Sequence, residues 1–166
     1  LFDDELQKDE FIKKEPKAKI WIRPYMSGDD FIQSKFRYCL WLKDIDPSEL
    51  NQLPEVKKRV EAVKKSRLES KAELTRKKAD TPTLFVQISQ PESNYLAIPE
   101  VSSEKRKYIP IGFINKKVIA SNTIQLVPNA TLWHFSILTS LMHNIWMRYI
   151  CGRLESRFRY SNSIVY

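Results

Sequence analysis

Charged and apolar residues alternate near the end of the chain. Over residues 153–160, odd positions are charged, and Leu154, Phe158 and Tyr160 occupy even positions. A period of two is typical of a β-strand, whose successive side chains point to opposite faces. The pattern therefore predicts one strand with a packed apolar face. The opposite face would present Arg153, Glu155, Arg157 and Arg159.

A long apolar segment precedes that strand. Residues 132–150 are apolar on nearly every side of a helix, with the possible cap Thr131 before them and Gly152 after them. The segment is long enough to span a bilayer, but it contains two histidines, an asparagine and Arg148. The pattern therefore predicts a single buried helix that forms the core.

The longest predicted helix is strongly basic. Residues 55–78 contain neither glycine nor proline and follow Pro54, which suits a first helical position. Between Pro54 and Ala79, ten lysines and arginines less four glutamates leave +6 of the chain's net charge of +8. Such a run is commonly a solvated helix face, and the alternative is a helix that lies along a phosphate backbone.

The remaining segments are short and rich in β-branched or aromatic residues. Residues 1–18 predict a helical arm or linker, and proline or asparagine residues separate the later strands. The predicted strands cover residues 19–25, 36–42, 83–89, 95–98, 108–113 and 124–127. Together these elements predict an α+β fold, with a mixed or antiparallel sheet of short strands, one long basic helix and one buried apolar helix.

Size and composition narrow the function. The 166 residues suit one domain, and a net charge of +8 favours a polyanionic partner. The only cysteines, Cys39 and Cys151, predict neither a disulfide scaffold nor a zinc site, and they suit the cytoplasm. With three glycines there is no phosphate-binding loop, and no motif of nucleophilic or metal-dependent catalysis is found. A binding module is therefore predicted, with no cofactor of its own.

Several segments, in order, resemble the target recognition domain of the MmeI-like (type IIL) restriction-modification enzymes. The resemblance lies in residues 21–25, 38–42, 101–113, 128–135 and 151–154, and it extends over nearly the whole chain. It implies a single DNA recognition domain over residues 1–166, excised from a longer bacterial polypeptide. That polypeptide would combine an endonuclease with a DNA adenine N6 methyltransferase that uses S-adenosylmethionine and Mg²⁺.

The resemblance also implies which side chains select the DNA sequence. The implied pairs are Glu100 with Asn122, Glu155 with Arg157, and Thr123 with Arg159. Glutamate can accept from the cytosine amino group and arginine can donate twice to guanine, so a C·G pair is predicted for Glu155 and Arg157. The predicted contacts to the DNA backbone are Lys57, Lys58, Lys64, Lys65, Lys105, Arg106 and Lys107.

Two other functions remain open at this point. The charged strand could bind a partner protein, in which case the domain would be a structural or interaction module with a solvated basic helix. An RNA-binding module is the third hypothesis, but such domains usually stack bases on aromatic side chains of an exposed sheet face. The leading expectation is a monomeric domain that binds double-stranded DNA, contacts the methyltransferase domain of its own polypeptide and does not enter a membrane.

Overall fold

A computed structural model describes residues 1–161 and 163. The chain divides into two compact units, Leu1–Arg23 with Arg37–Ser89, and Pro24–Phe36 with Gln90–Tyr166. The division describes contacts within the chain, and the single domain predicted from the sequence stays a prediction. In chain order the elements are α1 (Glu5–Lys14), a 3₁₀ helix (Pro16–Trp21), β1 (Ile22–Met26), α2 (Gly28–Gln33), β2 (Arg37–Leu40), α3 (Pro47–Asn51), α4 (Pro54–Leu68), α5 (Glu73–Lys77), β3 (Tyr95–Pro99), β4 (Val101–Ser102), β5 (Gly112–Ile114), β6 (Ile119–Ala120), β7 (Ile124–Pro128), α6 (Leu132–Thr139), α7 (Leu141–Ile150), β8 (Gly152–Leu154) and β9 (Arg157–Arg159).

The core of the first unit forms between α1 and α4. Phe2 and Phe11 are buried there together with Val56 and Val60. The helix predicted within residues 1–18 is therefore present, and it is packed into the unit. Burial of these apolar side chains is the main force that holds a short helix such as α1 in place.

The basic helix α4 is shorter than predicted, because it ends at Leu68 instead of near Lys78. The Arg67 guanidinium donates to the carbonyl oxygens of Lys78 at 2.8 Å, Thr81 at 2.9 Å and Leu84 at 2.6 Å. These bonds satisfy the carbonyls of a chain that turns back after the helix. Since no glycine or proline marks this turn, the sequence pattern alone favoured a longer helix.

The second unit contains short strands in mixed pairings. β3 lies between β5 and β7 and is antiparallel to both, and β9 lies between β4 and β8, again antiparallel. A parallel pair forms where Tyr25 of β1 pairs with Ile119 of β6. The predicted α+β fold with a mixed or antiparallel sheet of short strands is thus confirmed, although the strands form several small sheets.

The predicted buried helix over residues 132–150 was wrong in two respects. Ser140 has an extended backbone, with ψ at 152°, and separates α6 from α7; its hydroxyl accepts from the backbone N–H of His143 and so caps α7. Leu138 and Met147 are buried, but Met142 is 84% exposed and Tyr149 is 86% exposed. A serine can end one helix and begin the next because its side chain replaces a backbone partner.

Candidate functional site

The charged segment at residues 153–160 is a β-hairpin, which corrects the prediction of one strand. β8 and β9 pair with Leu154 opposite Arg157, so Glu155 and Ser156 form the turn between them. Glu155 has a left-handed backbone conformation, with φ at 57°. The predicted apolar face holds only for β9 and the residue after it, since Phe158 and Tyr160 are buried while Leu154 is 45% exposed.

Arg153 holds the hairpin turn. Its guanidinium lies over the Phe158 ring, 4.6 Å from the ring centroid, and donates to the carbonyl oxygen of Ser156 at 3.2 Å. The Ser156 hydroxyl in turn donates to the Glu104 carboxylate at 3.3 Å, which ties the turn to the basic loop after β4. The turn that contains Glu155 is therefore fixed from both strands and from this loop.

Glu155 and Arg157 face solvent as a loose ion pair. The Arg157 guanidinium lies 3.3 Å from the Glu155 carboxylate, and the two side chains are 43% and 80% exposed. Exposed ion pairs contribute only about 0 to 1 kcal/mol to stability. Both groups can consequently exchange this contact for a ligand at little cost.

Glu100 lies at the junction of two sheets, between β3 and β4. Its backbone N–H donates to the carbonyl oxygen of Thr123 at 2.8 Å, and its carbonyl oxygen accepts from Tyr160 at 2.7 Å. Its carboxylate accepts from Nε of Arg159 at 2.7 Å, where the Glu100 side chain is 21% exposed and Arg159 is 58% exposed. The geometry thus brings together Glu100 and Arg159, which the sequence placed in two different pairs.

Asn122 and Thr123 form the turn before β7, and both are exposed. The Thr123 hydroxyl accepts from the backbone N–H of Gly28 at 2.8 Å and lies 2.6 Å from the Ser121 hydroxyl. A side chain at Gly28 would have its Cβ 3.0 Å from the Thr123 carbonyl oxygen, a tight contact that favours glycine here. Thr123 therefore has a local structural role, and its contact with a base stays a prediction.

A cleft of about 350 Å³ opens beside the Glu100–Arg159 pair. Sequence reasoning assigned no base to two of its lining residues, Gln125 and Arg153. Gln125 is a single polar residue in a strand of otherwise apolar residues, and this interruption is the sequence feature that could have pointed to it. Among the described residues, the lining is Glu100, Gln125, Gly152, Arg153, Arg159, Tyr160 and Ser161.

The lysines and arginines predicted to contact the DNA backbone are all exposed. Lys57, Lys58, Lys64 and Lys65 lie on α4 in the first unit, and only Lys57 has a defined side-chain partner among them, the Asn51 amide at 3.0 Å. Lys105, Arg106 and Lys107 lie in the loop after β4 in the second unit. Their contact with a phosphate backbone stays a prediction.

Both histidines of the chain make local contacts within the second unit. His134 completes a capping box with Thr131 at the start of α6, and the His143 ring lies 3.1 Å from the Tyr160 hydroxyl. Partial burial lowers the pKa of His143, which favours the neutral ring at physiological pH. Within residues 1–161 and 163, no group of three or more His, Cys, Asp or Glu side chains is placed to hold a metal ion.

Over residues 1–166 the sequence matches the family described as MmeI, target recognition domain. The chain belongs to this family. A similar solved structure, titled "Structure of Type IIL restriction-modification enzyme MmeI in complex with DNA has implications for engineering of new specificities", has a TM-score of 0.96 and 48% sequence identity. The match covers 99% of this MmeI-type recognition domain and 22% of that chain.

A curated relative is DNA methyltransferase A of Bacillus subtilis (strain 168). It is 32% identical to this recognition domain over 155 residues, which is 93% of the domain and 18% of the relative. The domain thus spans about a fifth of the length of the relatives that it matches. In the part of the chain that the structure describes, no helix combines the length and apolarity needed to cross a membrane.

Proposed function

We propose that this recognition domain selects the DNA sequence on which a longer restriction-modification methyltransferase acts. The observation that carries the proposal is the cluster of Glu100, Arg159 and Gln125 around one open cleft, in the second unit that also presents the Glu155–Arg157 pair. Side chains with carboxylate, guanidinium or amide groups recognise base edges in the major groove. Membership of a target recognition family and a structural relative described in complex with DNA support this chemistry.

The ion pairs suggest how selection would work. Without DNA, the Arg159 guanidinium and the Glu100 carboxylate neutralise each other across 2.7 Å, as Arg157 and Glu155 do across 3.3 Å. An exposed pair such as Glu155–Arg157 is worth about 0 to 1 kcal/mol and the partly buried Glu100–Arg159 pair somewhat more, whereas a good base contact discriminates by about 1 to 3 kcal/mol. The correct base pair would therefore displace each ion pair, and a wrong one would leave a charge without a partner.

The assignment of bases follows from the donors and acceptors. Glu155 would accept from the cytosine amino group, and Arg157 would donate to the guanine of the same pair. Glu100 with Asn122 would read a second position, and Thr123 with Arg159 a third. Because Glu100 and Arg159 touch, these two positions would be neighbours in the DNA site.

The basic residues would supply affinity without sequence preference. Four lysines of α4 fall within an arc of about 120° around the helix axis, at about 100° per residue. Lysine can hold a phosphate as a point charge, and such contacts position a protein on DNA without identifying bases. The loop with Lys105, Arg106 and Lys107 would serve the same purpose beside the hairpin.

Catalysis would belong to other parts of the polypeptide. We assign no reaction to this domain, and we place adenine N6 methylation with S-adenosylmethionine, and Mg²⁺-dependent cleavage, in the remainder of the enzyme. The complete protein would work in the bacterial cytoplasm, where its DNA lies, and this domain would bind as a monomer.

The apolar face of α6 and α7 would contact the methyltransferase domain of the same polypeptide. We use this name for the exposed apolar residues of the two helices, Leu132, Trp133, Ile137, Leu141, Met142, Ile145, Trp146 and Tyr149. Contiguous exposed apolar patches commonly mark protein contacts, and tryptophan and tyrosine are enriched in them. The occupant is taken to be the same chain because the similar domains make up about a fifth of their polypeptides.

A domain exchange tests the proposal. This sequence would replace the region of DNA methyltransferase A that matches it over 155 residues, and the methylated sites of the chimaera would be mapped by sequencing. We expect a new target sequence. Methylation at the original sites of the Bacillus enzyme would contradict the proposal. If the chimaera is inactive, selection from a random duplex library with the 166-residue chain provides the second measurement.

A further inference from the structure

One polar side chain interrupts an otherwise apolar face of the sheet that contains β3 and β7. Gln125 pairs with Ile98 and Val127 pairs with Leu96. Residues opposite each other in antiparallel strands place their side chains on the same face. Leu96, Ile98 and Val127 all pack in one apolar cluster, so an apolar residue would be expected at position 125.

Gln125 is one of the residues that line the cleft. It is half-buried, it lines the cleft with Glu100 and Arg159, and no hydrogen bond to its side chain occurs among the described residues. Gln90 provides the contrast. Its amide donates to the carbonyl oxygens of Lys116 and Val118, both at 3.0 Å, and accepts from the N–H of Ala120 at 3.1 Å. Gln90 thus uses its amide to hold the fold, whereas the Gln125 amide makes no hydrogen bond within residues 1–161 and 163.

We infer that Gln125 is a further base-reading residue of this cleft and that it recognises adenine. Glutamine can bind the adenine edge twice, because its oxygen accepts from N6 and its nitrogen donates to N7. Neither a carboxylate nor a guanidinium offers this donor and acceptor combination, so Gln125 adds a specificity that Glu100 and Arg159 lack. This inference rests on the proposed DNA recognition.

The position of Gln125 suits a contact next to the base read by Glu100. Gln125 lies in β7, whose neighbouring residue Ile124 pairs with Pro99, the residue just before Glu100. The backbone of Glu100 is fixed in turn by the Thr123 carbonyl oxygen at 2.8 Å. Gln125 therefore projects from a rigid strand pair, which favours a defined base contact.

The test uses the full-length enzyme that carries this domain, with its methylated sites mapped by genome sequencing. Gln125→Ala should relax the target at one position that contains adenine. Sites with another base at that position should be methylated about tenfold more, relative to sites with adenine there, than by the wild type. Gln125→Glu replaces the donor with an acceptor and should shift that position from adenine toward cytosine. Gln87→Ala, an exposed glutamine of the first unit, is the matched control and should change nothing.

The outcomes separate the two proposals. A wild-type enzyme with no sequence preference would overturn the proposed function itself. A wild-type enzyme with a defined target, and a Gln125→Ala variant with the same target and rate at every position, would overturn the Gln125 inference alone. Both variants could also lose methylation equally at all sites while their preference among bases stays unchanged. That result would show a structural role for Gln125 and would contradict the inference.

Discussion

Arg159 and Glu100 form an ion pair at 2.7 Å although they are 59 residues apart in the sequence. The contact joins β9 to the residue between β3 and β4. It places two predicted base-reading side chains within reach of each other, so neither can move to a base without releasing its partner.

The first prediction is that substitutions at these two residues have coupled effects. Glu100→Gln and Arg159→Gln should each change the target, and the double variant should differ from the sum of the two by about 0.5 kcal/mol or more in relative site preference. Competitive methylation of duplexes that differ at one base pair gives the measurement. Glu100→Gln combined with Arg157→Gln is the control pair, since no contact joins Glu100 and Arg157 among the described residues. Additive effects in the first pair would contradict the coupling.

A charge reversal in the hairpin should alter one position of the target. Glu155→Lys with Arg157→Asp reverses the order of acceptor and donor, and both side chains are exposed, so the fold should survive. We expect loss of the C·G preference at one position, seen by sequencing the modified sites of the full-length enzyme. Glu73→Lys with Lys77→Glu exchanges a comparable exposed pair in α5 and should leave the target unchanged. An unchanged target in the hairpin variant would exclude base reading by Glu155 and Arg157.

The lysines of α4 should affect all duplexes alike. Replacing Lys57, Lys58, Lys64 and Lys65 with glutamine removes four charges from one exposed face. We expect weaker binding to every duplex, and a salt dependence of log K that is flatter by about 0.9 for each lost phosphate contact. Binding titrations over a range of salt concentrations measure both quantities.

A control for net charge comes from another lysine group. Lys13, Lys14, Lys17 and Lys19 are also exposed, and their replacement with glutamine changes the total charge equally. The control should reduce the salt slope much less. Equal slopes for both variants would mean that only net charge matters, and a loss confined to some sequences would contradict backbone binding by α4.

Glu15 should stabilise the start of α4. Its carboxylate is buried and accepts from the backbone N–H groups of Glu55 at 3.1 Å and Val56 at 2.9 Å, where the helix has no side-chain cap of its own. Glu15→Ala should lower the free energy of unfolding by about 2 kcal/mol, because one buried and one partly buried N–H donor lose their acceptor. Glu15→Gln keeps one acceptor oxygen and should cost less. Chemical denaturation measures both, and equal stability of Glu15→Ala and the wild type would contradict the capping role.

The apolar face of α6 and α7 should matter only in the full-length protein. Met142→Lys with Tyr149→Lys alters two side chains that are 84% and 86% exposed, so the isolated chain should keep its melting temperature and gain solubility. The same change in the long polypeptide should lower its melting temperature, because the proposed contact with the methyltransferase domain is lost. Leu6→Lys with Leu74→Lys, also exposed, is the matched control. Unchanged stability of the long variant would contradict the contact.

Local patterns predicted the elements better than their ends. Pro54 and the absence of helix breakers identified α4, and Phe158 and Tyr160 identified the packed side of β9. The turn at Glu155 could not be found in this way, because a glutamate there adopts the left-handed conformation that glycine or asparagine usually signals. Ser140 likewise separates two helices without glycine or proline.

The burial of α6 and α7 could not be predicted for a different reason. An apolar sequence indicates that a helix face is shielded from water, but it does not indicate whether the same domain or another one covers that face. Trp133 and Tyr149 suit a core and a protein contact equally well. For the site, alternation pointed to Glu155 and Arg157, whereas the contact between Glu100 and Arg159 depends on strand pairing that no local pattern contains.

The backbone at Glu100 has a consequence for how such proteins diversify. Its N–H and carbonyl groups hold the junction of two sheets through Thr123 and Tyr160, and these bonds do not involve the side chain. Any residue except proline can make them. The side chain at this position can thus be replaced without loss of the backbone bonds at the junction, and under the proposed function a new target would need no change in the scaffold.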